Sequence, residues 1–298
     1  MNNYQHIPVM LEEVIENLNI KKDGKYIDGT LGGASYTKKI TELAKEGIVM
    51  SIDLDPLAID NFSKQKTDRN IVVNDNFSNL KNIVLENFDD NVKFDGIVAD
   101  LGLSSAQLDD ESRGFSFLNS QSLDMSFGPK IDKDTYYIVN NYKESELERL
   151  IKEYGEEPWA KIIARNICTS RKKSRINSSS DLAEIIKSSI PKRFWTGKIN
   201  PATKTFQAFR METNDEIKNL ENFLDSAISL LNVGGRLVIV SFHSLEDRVV
   251  KLLFKNKYRE NKDAFKIVTK KPIKPSEKEV LNNNRSRSAK LRVLEKIK

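Results

Sequence analysis

The 298-residue chain has one cysteine and two histidines. Cys168 has no second thiol to pair with, so no internal disulfide staples the fold, and a reducing cytoplasm suits the chain. Cys168, His6 and His243 fall short of the usual Cys/His zinc cages, and no metal is expected. Long apolar runs are also missing. Stretches such as Leu237 to Val240 are far shorter than the ~20 residues of a bilayer span, and Met1 to Pro8 lacks a basic-then-apolar secretory pattern. Neither a membrane partner nor export is expected. The string G-x-x-x-x-G-K-[ST] is absent as well, which excludes a P-loop nucleotide site.

Charge is plentiful and segregated. Residues 161 to 210 hold 12 Lys/Arg against 2 Asp/Glu, residues 251 to 298 hold 16 against 5, and the remainder holds 20 against 36. Two basic blocks on an acidic remainder suit a polyanion such as nucleic acid. Solvated, lysine-rich helix faces are the plainer alternative.

The first hundred residues alternate short β-rich runs with helical spacing, the pattern of a parallel sheet with crossover helices. Strands are predicted at Lys25 to Asp28, Ile48 to Asp53, Ile71 to Asn74 and Phe94 to Asp100. Helices are predicted at Pro8 to Leu18, Tyr36 to Ala44, Pro56 to Lys66 and Asn79 to Phe88. Residues 101 to 130 are rich in Gly, Ser and Asp with Phe115, Phe117 and Phe127 interspersed, and a loop of that length is usually functional. Helical patterns follow at Glu144 to Tyr154, Trp159 to Ser170 and Asp181 to Ser188. Another runs from Pro201 to Leu231, breaking near Thr213 to Asp215 and ending at Gly234-Gly235. Strand signals return at Arg236 to Phe242, Phe265 to Thr269 and Leu291 to Glu295, with a helix from Leu245 to Lys257 and a polar, mobile loop over Lys270 to Ser288. The chain therefore reads as an α/β sheet interrupted by an all-helical insertion, divided into 1–110, 111–210 and 211–298.

In an open parallel sheet, ligands bind beyond the carboxyl ends of the strands. Four acids stand at four successive ends: Asp28 before Gly29-Thr30-Leu31-Gly32-Gly33-Ala34-Ser35-Tyr36, then Asp53, Asp75 beside Phe77, and Asp100. Asp53 follows Gly32 by 21 residues, about where such folds hold an acid for the ribose hydroxyls. Asn74, Asp75 or Asn76 can meet an adenine edge, with Phe77 stacked beside it. Individually, Asp28 and Asp75 can be turn formers and Phe77 a core residue. Together, with no basic residues for a pyrophosphate, they suit an adenosine that carries a cation. S-adenosylmethionine fits that description better than NAD does.

Several longer strings carry a family resemblance. HIPVMLEEV from His6, YIDGTLGGASYT from Tyr26, DLGLSSAQLD from Asp100, RGFSFL from Arg113, LDMSF from Leu123, PATKTFQAFRMETN from Pro201, GGRLVIVSFHSLEDRVVK from Gly234 and RSRSAKLRVLE from Arg285 span nearly the whole chain. In order and spacing the chain resembles the bacterial small-subunit ribosomal RNA cytosine N4-methyltransferases of the MraW type. The resemblance implies a Rossmann-like S-adenosylmethionine-dependent methyltransferase core with a helical insertion that meets substrate. It also implies methylation of the exocyclic N4 of one cytidine in the decoding region of 16S ribosomal RNA. Cofactor contacts then fall on Ala34, Ser35, Tyr36, Asp53, Phe77, Asp100 and Gln107. Many relatives carry Gly-His where this chain has Ser35-Tyr36, so no role of that histidine side chain transfers here.

The chemistry agrees with this mapping. The N4 lone pair is delocalised into the ring, so a catalyst must align the methyl and draw an N–H toward an acceptor. Asp100 is the candidate, either as that acceptor or as the group orienting the methionine amine. Asp100-Leu101-Gly102-Leu103 also lacks the Pro-Pro-aromatic string of DNA amino-methyltransferases, which weakens a DNA substrate; a non-catalytic ribosome-assembly factor is the third reading. His243 is equally read as a general base or as the residue fixing a turn before the capping string Ser244-Leu245-Glu246-Asp247. His6 reads as structural, and Cys168 as a buried small hydrophobe. RNA contact is expected from Arg171 to Arg175, from Lys192-Arg193-Phe194-Trp195, and from Arg285-Ser286-Arg287.

Overall fold

The computed structural model describes residues 8–103, 107, 114–115, 122–129, 131–195, 197 and 200–298. His6, Phe117 and much of the 101–130 stretch lie outside the described residues. The chain divides into two compact units, one formed by Met1–Gly102 with Ile217–Lys298, the other by Leu103–Glu216.

The first unit is built on a seven-stranded sheet. Its strands are β1 (Lys25–Asp28), β2 (Ile48–Asp53), β3 (Asn70–Asn74), β4 (Phe94–Asp100), β5 (Leu231–Ser241), β6 (Phe265–Ile267) and β7 (Lys290–Lys296). They lie in the order β3-β2-β1-β4-β5-β7-β6. Pairing from β3 through β5 is parallel, whereas β7 runs antiparallel to both β5 and β6. Chain order reverses between β1 and β4, the switch point at which open α/β sheets form a crevice.

Alternation along the strands sends side chains to two cores. Ile97, Ala99, Leu237 and Ile239 join Leu80, Phe223, Leu224 and Phe254 on one face. Val98, Val238, Val240 and Val293 join Val14, Leu18 and Ile40 on the other. Because helices cover both faces, the strands read as unbroken apolar runs. Helices α1 (Leu11–Leu18) and α2 (Ser35–Leu43) lie on the second face, and α4 (Leu80–Asn87) on the first. Helix α3 (Pro56–Ser63) starts where Asp55 accepts from the Leu57 N–H, 3.0 Å, with Pro56 in the first turn, so its start was legible.

The second unit is helical among its described residues: Thr135–Asn141, Glu144–Glu153, Ala160–Arg171, Ser179–Ser189 and Thr203–Thr213. Leu147 with Ile151, Ile163 with Ile167, and Leu182 with Ile186 repeat at helical spacing and form its core. Cys168 joins that core, and burial pushes its thiol pKa up, which suits packing rather than nucleophilic attack.

Several expectations change. Gly234-Gly235 does not end a helix: the helix Glu216–Leu230 stops earlier, and both glycines lie within β5, where the pairing with β4 shifts register between Phe94 and Gly96. The polar stretch over 270–288 holds a helix, Glu277–Asn282, and a 3₁₀ turn, Asn284–Ser288. Ser276 caps that helix through the Glu279 N–H, and the Glu279 carboxylate accepts from the Met10 N–H at 2.7 Å. The helix Thr135–Asn141 was not anticipated, because its run Thr-Tyr-Tyr-Ile-Val is β-branched and aromatic; the Asp134 cap sets it against local propensity. Arg171 is not a free cation for RNA: its guanidinium donates to the carbonyls of Val139, 2.6 Å, and Tyr142, tying two helices together. Lys172, Lys173 and Arg175 remain exposed.

Candidate active site

The carboxyl edge is assembled from loops that cross strand ends. After β1, the Gly29 N–H donates to the Val98 carbonyl of β4 and the Leu31 N–H to the Ile52 carbonyl of β2, 2.8 and 2.9 Å. Thr30 Oγ1 accepts from the Asp100 N–H at 2.7 Å. A side chain at position 29 would bring Cβ within 3.0 Å of the Phe223 ring, and Gly32 has φ +46°, so this turn requires glycine twice. The following residue but one, Ala34, also has a left-handed backbone, φ 62°, and caps α2 with no side-chain hydrogen bond. A non-glycine residue there stores about 1 kcal/mol of strain or more, and strain of this kind gathers at ligand sites. It leaves the amide donors of the first turn, beginning at Ser35 and Tyr36, without a side-chain cap.

The strand-end acids occupy different environments. Asp28 is fully buried, accepting from the Thr30 N–H at 3.2 Å and the Thr37 hydroxyl at 2.7 Å, and burial pushes its carboxyl up to about 7. It fixes the glycine turn against α2. Asp53 uses Oδ2 to hold the Gly32 N–H and Oδ1 to hold the Asp55 N–H, 2.8 and 2.9 Å, and burial raises its pKa. Each of those oxygens keeps a second lone pair for a ligand hydroxyl. Asp75 serves its own turn, holding Asn76 N–H and Asn79 Nδ2, while the Asn76 side chain caps the 3₁₀ turn Phe77–Asn79. Asn74 gives its Nδ2 to the Asp53 carbonyl, 2.8 Å. Phe77 is half-buried, its ring centroid 4.7 Å from that of Phe223, so it is at once a core residue and part of the edge.

Asp100 stands apart from the other three. Its Oδ1 is buried with no hydrogen-bond partner. Burial raises its pKa well above the carboxylate range, and the charges that act on it, from Asp28, Glu246 and Glu279, are all negative. A buried acid ringed by acids calls for a cation or stays protonated. The Tyr36 hydroxyl, which donates to the Val9 carbonyl, also lies against the Asp100 carboxyl. Sequence reasoning treated Tyr36 as a backbone contact and did not find this side-chain role. It missed Glu246 and Glu279 as members of the acidic ring too: Glu246 was visible only as a capping residue, and Glu279 gave no signal.

His243 is the helix cap. Its Nδ1 accepts from the Glu246 N–H, and the Glu246 carboxylate accepts from the His243 N–H, both 3.3 Å, so the reciprocal box opens one residue earlier than Ser244. Its Nε2 lies 3.0 Å from Glu246 Oε1. Nδ1 is thus used by the cap, which favours the structural reading, while the buried Nε2 makes no hydrogen bond. Gln107 belongs to the second unit, where it is buried and its Nε2 donates to the Phe127 carbonyl at 3.1 Å. The structure brings Ala34, Ser35, Tyr36, Asp53, Phe77 and Asp100 to one sheet edge, within the first unit.

No helix among the described residues is long and apolar enough to cross a membrane. Comparison with known proteins agrees with the sheet. A model of the MraW methylase family matches residues 3–297. A protein of Clostridioides difficile (strain 630) named ribosomal RNA small subunit methyltransferase H is 42% identical over 309 residues, covering 99% of each chain. One of the same name from Clostridium botulinum (strain 657 / Type Ba4) is 43% identical over 310 residues, again covering 99% of each. A third, from Fusobacterium nucleatum subsp. nucleatum, is 44% identical over 315 residues, covering 100% of this chain and 98% of that one. A parallel sheet with one reversed strand, β7, a glycine turn crossing its switch point and similarity that runs from end to end leave one conclusion: this chain belongs to the MraW methylase family, with a Rossmann-like methyltransferase core and a helical insertion.

Proposed function

We propose that the chain transfers a methyl group from S-adenosyl-L-methionine to the exocyclic N4 of one cytidine in the 16S RNA of the small ribosomal subunit. The observation that carries this reading is the unpartnered Oδ1 of Asp100 in an acidic ring at the switch point, an environment that a phosphate-free, cationic nucleoside completes. S-adenosylmethionine supplies a positively charged, activated methyl group. Asp53 accepts hydrogen bonds from the ribose hydroxyls, and Phe77 lies beside the adenine. The amides after Ala34 receive the methionine carboxylate, as helix starts receive anions. Gln107 is assigned a cofactor contact by the resemblance alone. Asp100 accepts an N–H of the target amine once a neighbouring cation has ionised it. In the second unit, exposed Lys172, Lys173 and Arg175 meet RNA phosphates. Phe194, 51% exposed with Arg193 5.0 Å over its ring, offers a stacking surface for an unpaired base.

Methyl transfer to purified small subunits from a strain lacking the enzyme tests the substrate. Nuclease digestion and mass spectrometry should find one new methyl, on N4 of a single cytidine. Methylation of another base, or none, contradicts the reading.

The buried acids also predict a pH dependence. Asp28 is raised to about 7 and Asp100 well above its ordinary value, so burial shifts both carboxyls toward the protonated form in the free protein. A cation beside these groups lowers their pKa, so binding releases protons and affinity for S-adenosylmethionine rises as pH increases from about 6 to 8. Calorimetry at pH 7 in two buffers of different ionisation enthalpy should show net release, most of which disappears in Asp100→Asn. Heat that is independent of buffer contradicts it.

A further inference from the structure

Beside the acidic edge lies a cavity of opposite character. It has a volume of about 340 Å³ and is lined by Phe242, His243, Ser244, Lys274, Arg287, Ser288, Ala289 and Lys290. No acid lines it. Lys290 shares its charge with Asp247, Nζ 3.2 Å from Oδ2, and Arg292 holds the same carboxylate at 2.6 Å, so Asp247 is already occupied by two cations. His243 uses Nδ1 to cap its helix through the Glu246 N–H. Lys274 and Arg287 differ: both are exposed, and neither has an ion-pair partner among the described residues. The hydroxyls of Ser244 and Ser288 and the half-buried Phe242 ring complete the wall.

The position matters as much as the charge. Val240 pairs with Asp100 across β5 and β4, and the Leu101 N–H donates to the Val240 carbonyl, 2.9 Å. Phe242 follows two residues later, and a Cβ on Gly102 would lie 3.8 Å from its ring. The cavity thus opens on the same sheet edge, directly beyond the strand that flanks Asp100. Glu246 separates the two regions: its carboxylate receives the Phe242 and His243 N–H groups on the cavity side and acts on Asp100 from the other. An acidic site suited to a cation and a basic pocket suited to an anion share one rim.

We infer that this cavity binds a backbone phosphate of the RNA strand next to the methylated nucleotide, with Lys274 and Arg287 as its charged contacts. This inference rests on the RNA methyltransferase reading above and adds to it the place where the substrate strand is held. A phosphodiester brings one negative charge and acceptor oxygens, matching two free cations and two hydroxyls. Anchoring the backbone here holds the base near Asp100 by proximity and leaves the cofactor contacts untouched.

The test uses full-length Lys274→Ala/Arg287→Ala, with purified small subunits lacking the methyl group and with S-adenosylmethionine as probes. Subunit affinity measured across a salt series should lose steepness by about 0.7 in its log–log slope, the value for one phosphate contact removed from a single strand. Affinity at about 0.15 M salt should fall about tenfold or more, each charge-assisted contact being among the stronger hydrogen bonds. S-adenosylmethionine affinity and thermal midpoint should stay at wild-type values. A control pair at the amino ends of β1 and β2, Lys22→Ala/Lys45→Ala, should leave the slope unchanged. If the wild type methylates the subunits and the Lys274/Arg287 variant binds them with wild-type affinity and slope, the cavity is no RNA site, although the function stands. An equal change in slope in the control pair overturns it as well, by showing only a general charge effect. If the wild type places no methyl on the RNA, the function and this inference fall together.

Discussion

Asp100→Asn lowers the turnover number for methyl transfer by about 100- to 10,000-fold, the range associated with loss of a positioned proton acceptor. The substitution preserves shape. Asp100 Oδ1 has no hydrogen-bond partner, and its backbone N–H, bonded to Thr30 Oγ1, is unaffected. Removing a carboxyl whose burial already disfavours its charge relieves the free protein rather than damaging it. The loss therefore belongs to the reaction: an amide at position 100 cannot take up negative charge beside the sulfonium, nor accept an N–H as strongly. The thermal midpoint should be equal to or above that of the wild type, and affinity for S-adenosylmethionine should fall by less than the turnover number does. A variant that turns over within tenfold of wild type removes Asp100 from the role of acceptor.

The second large effect is on stability. Phe223→Ala should destabilise the first unit by about 3 to 5 kcal/mol, the usual range for truncating a fully buried aromatic. Phe223 stands on the helix Glu216–Leu230, under two parts of the edge. Its ring would lie 3.0 Å from a Cβ on Gly29, and its centroid is 4.7 Å from that of Phe77. Deleting the ring removes the floor beneath both the glycine turn and the ring placed beside the adenine. At roughly 2 to 4 °C per kcal/mol for a unit of this size, the midpoint should drop by about 6 to 20 °C. Affinity for the cofactor should weaken in the same variant at temperatures where it is still folded. Phe223→Leu, which refills part of the volume, should recover more than half of the stability. A loss below about 1 kcal/mol in Phe223→Ala contradicts this account of the packing.

The elements that the sequence revealed best are those whose burial has one period. β1, β2 and β4 match their predicted bounds, because a strand covered on both faces is an apolar run bounded by glycine, aspartate and lysine. The edge acids were legible for the same reason: once a parallel strand is located, its last residue faces the crevice. What stayed hidden depends on contacts remote in sequence. Glu279 reaches the N-terminal segment through Met10, 269 residues away, and no local pattern announces it. Tyr36 was visible as a residue of the glycine turn, but its hydroxyl meets Val9 and Asp100 only after α1 and β4 are in place. Arg171 illustrates the opposite error. It read as surface charge within a basic run, yet two helix-end carbonyls take up its guanidinium, because unpaired carbonyls at a C-terminus are strong acceptors.

A crystal structure of the chain with S-adenosylmethionine bound tests the central claim most directly. The ribose hydroxyls should lie within hydrogen-bond distance of Asp53, the adenine against Phe77, and the methyl-bearing sulfonium beside Asp100. A nucleoside found away from the β1–β4 switch point, or contacts that leave Asp100 without a positively charged neighbour, contradicts the account.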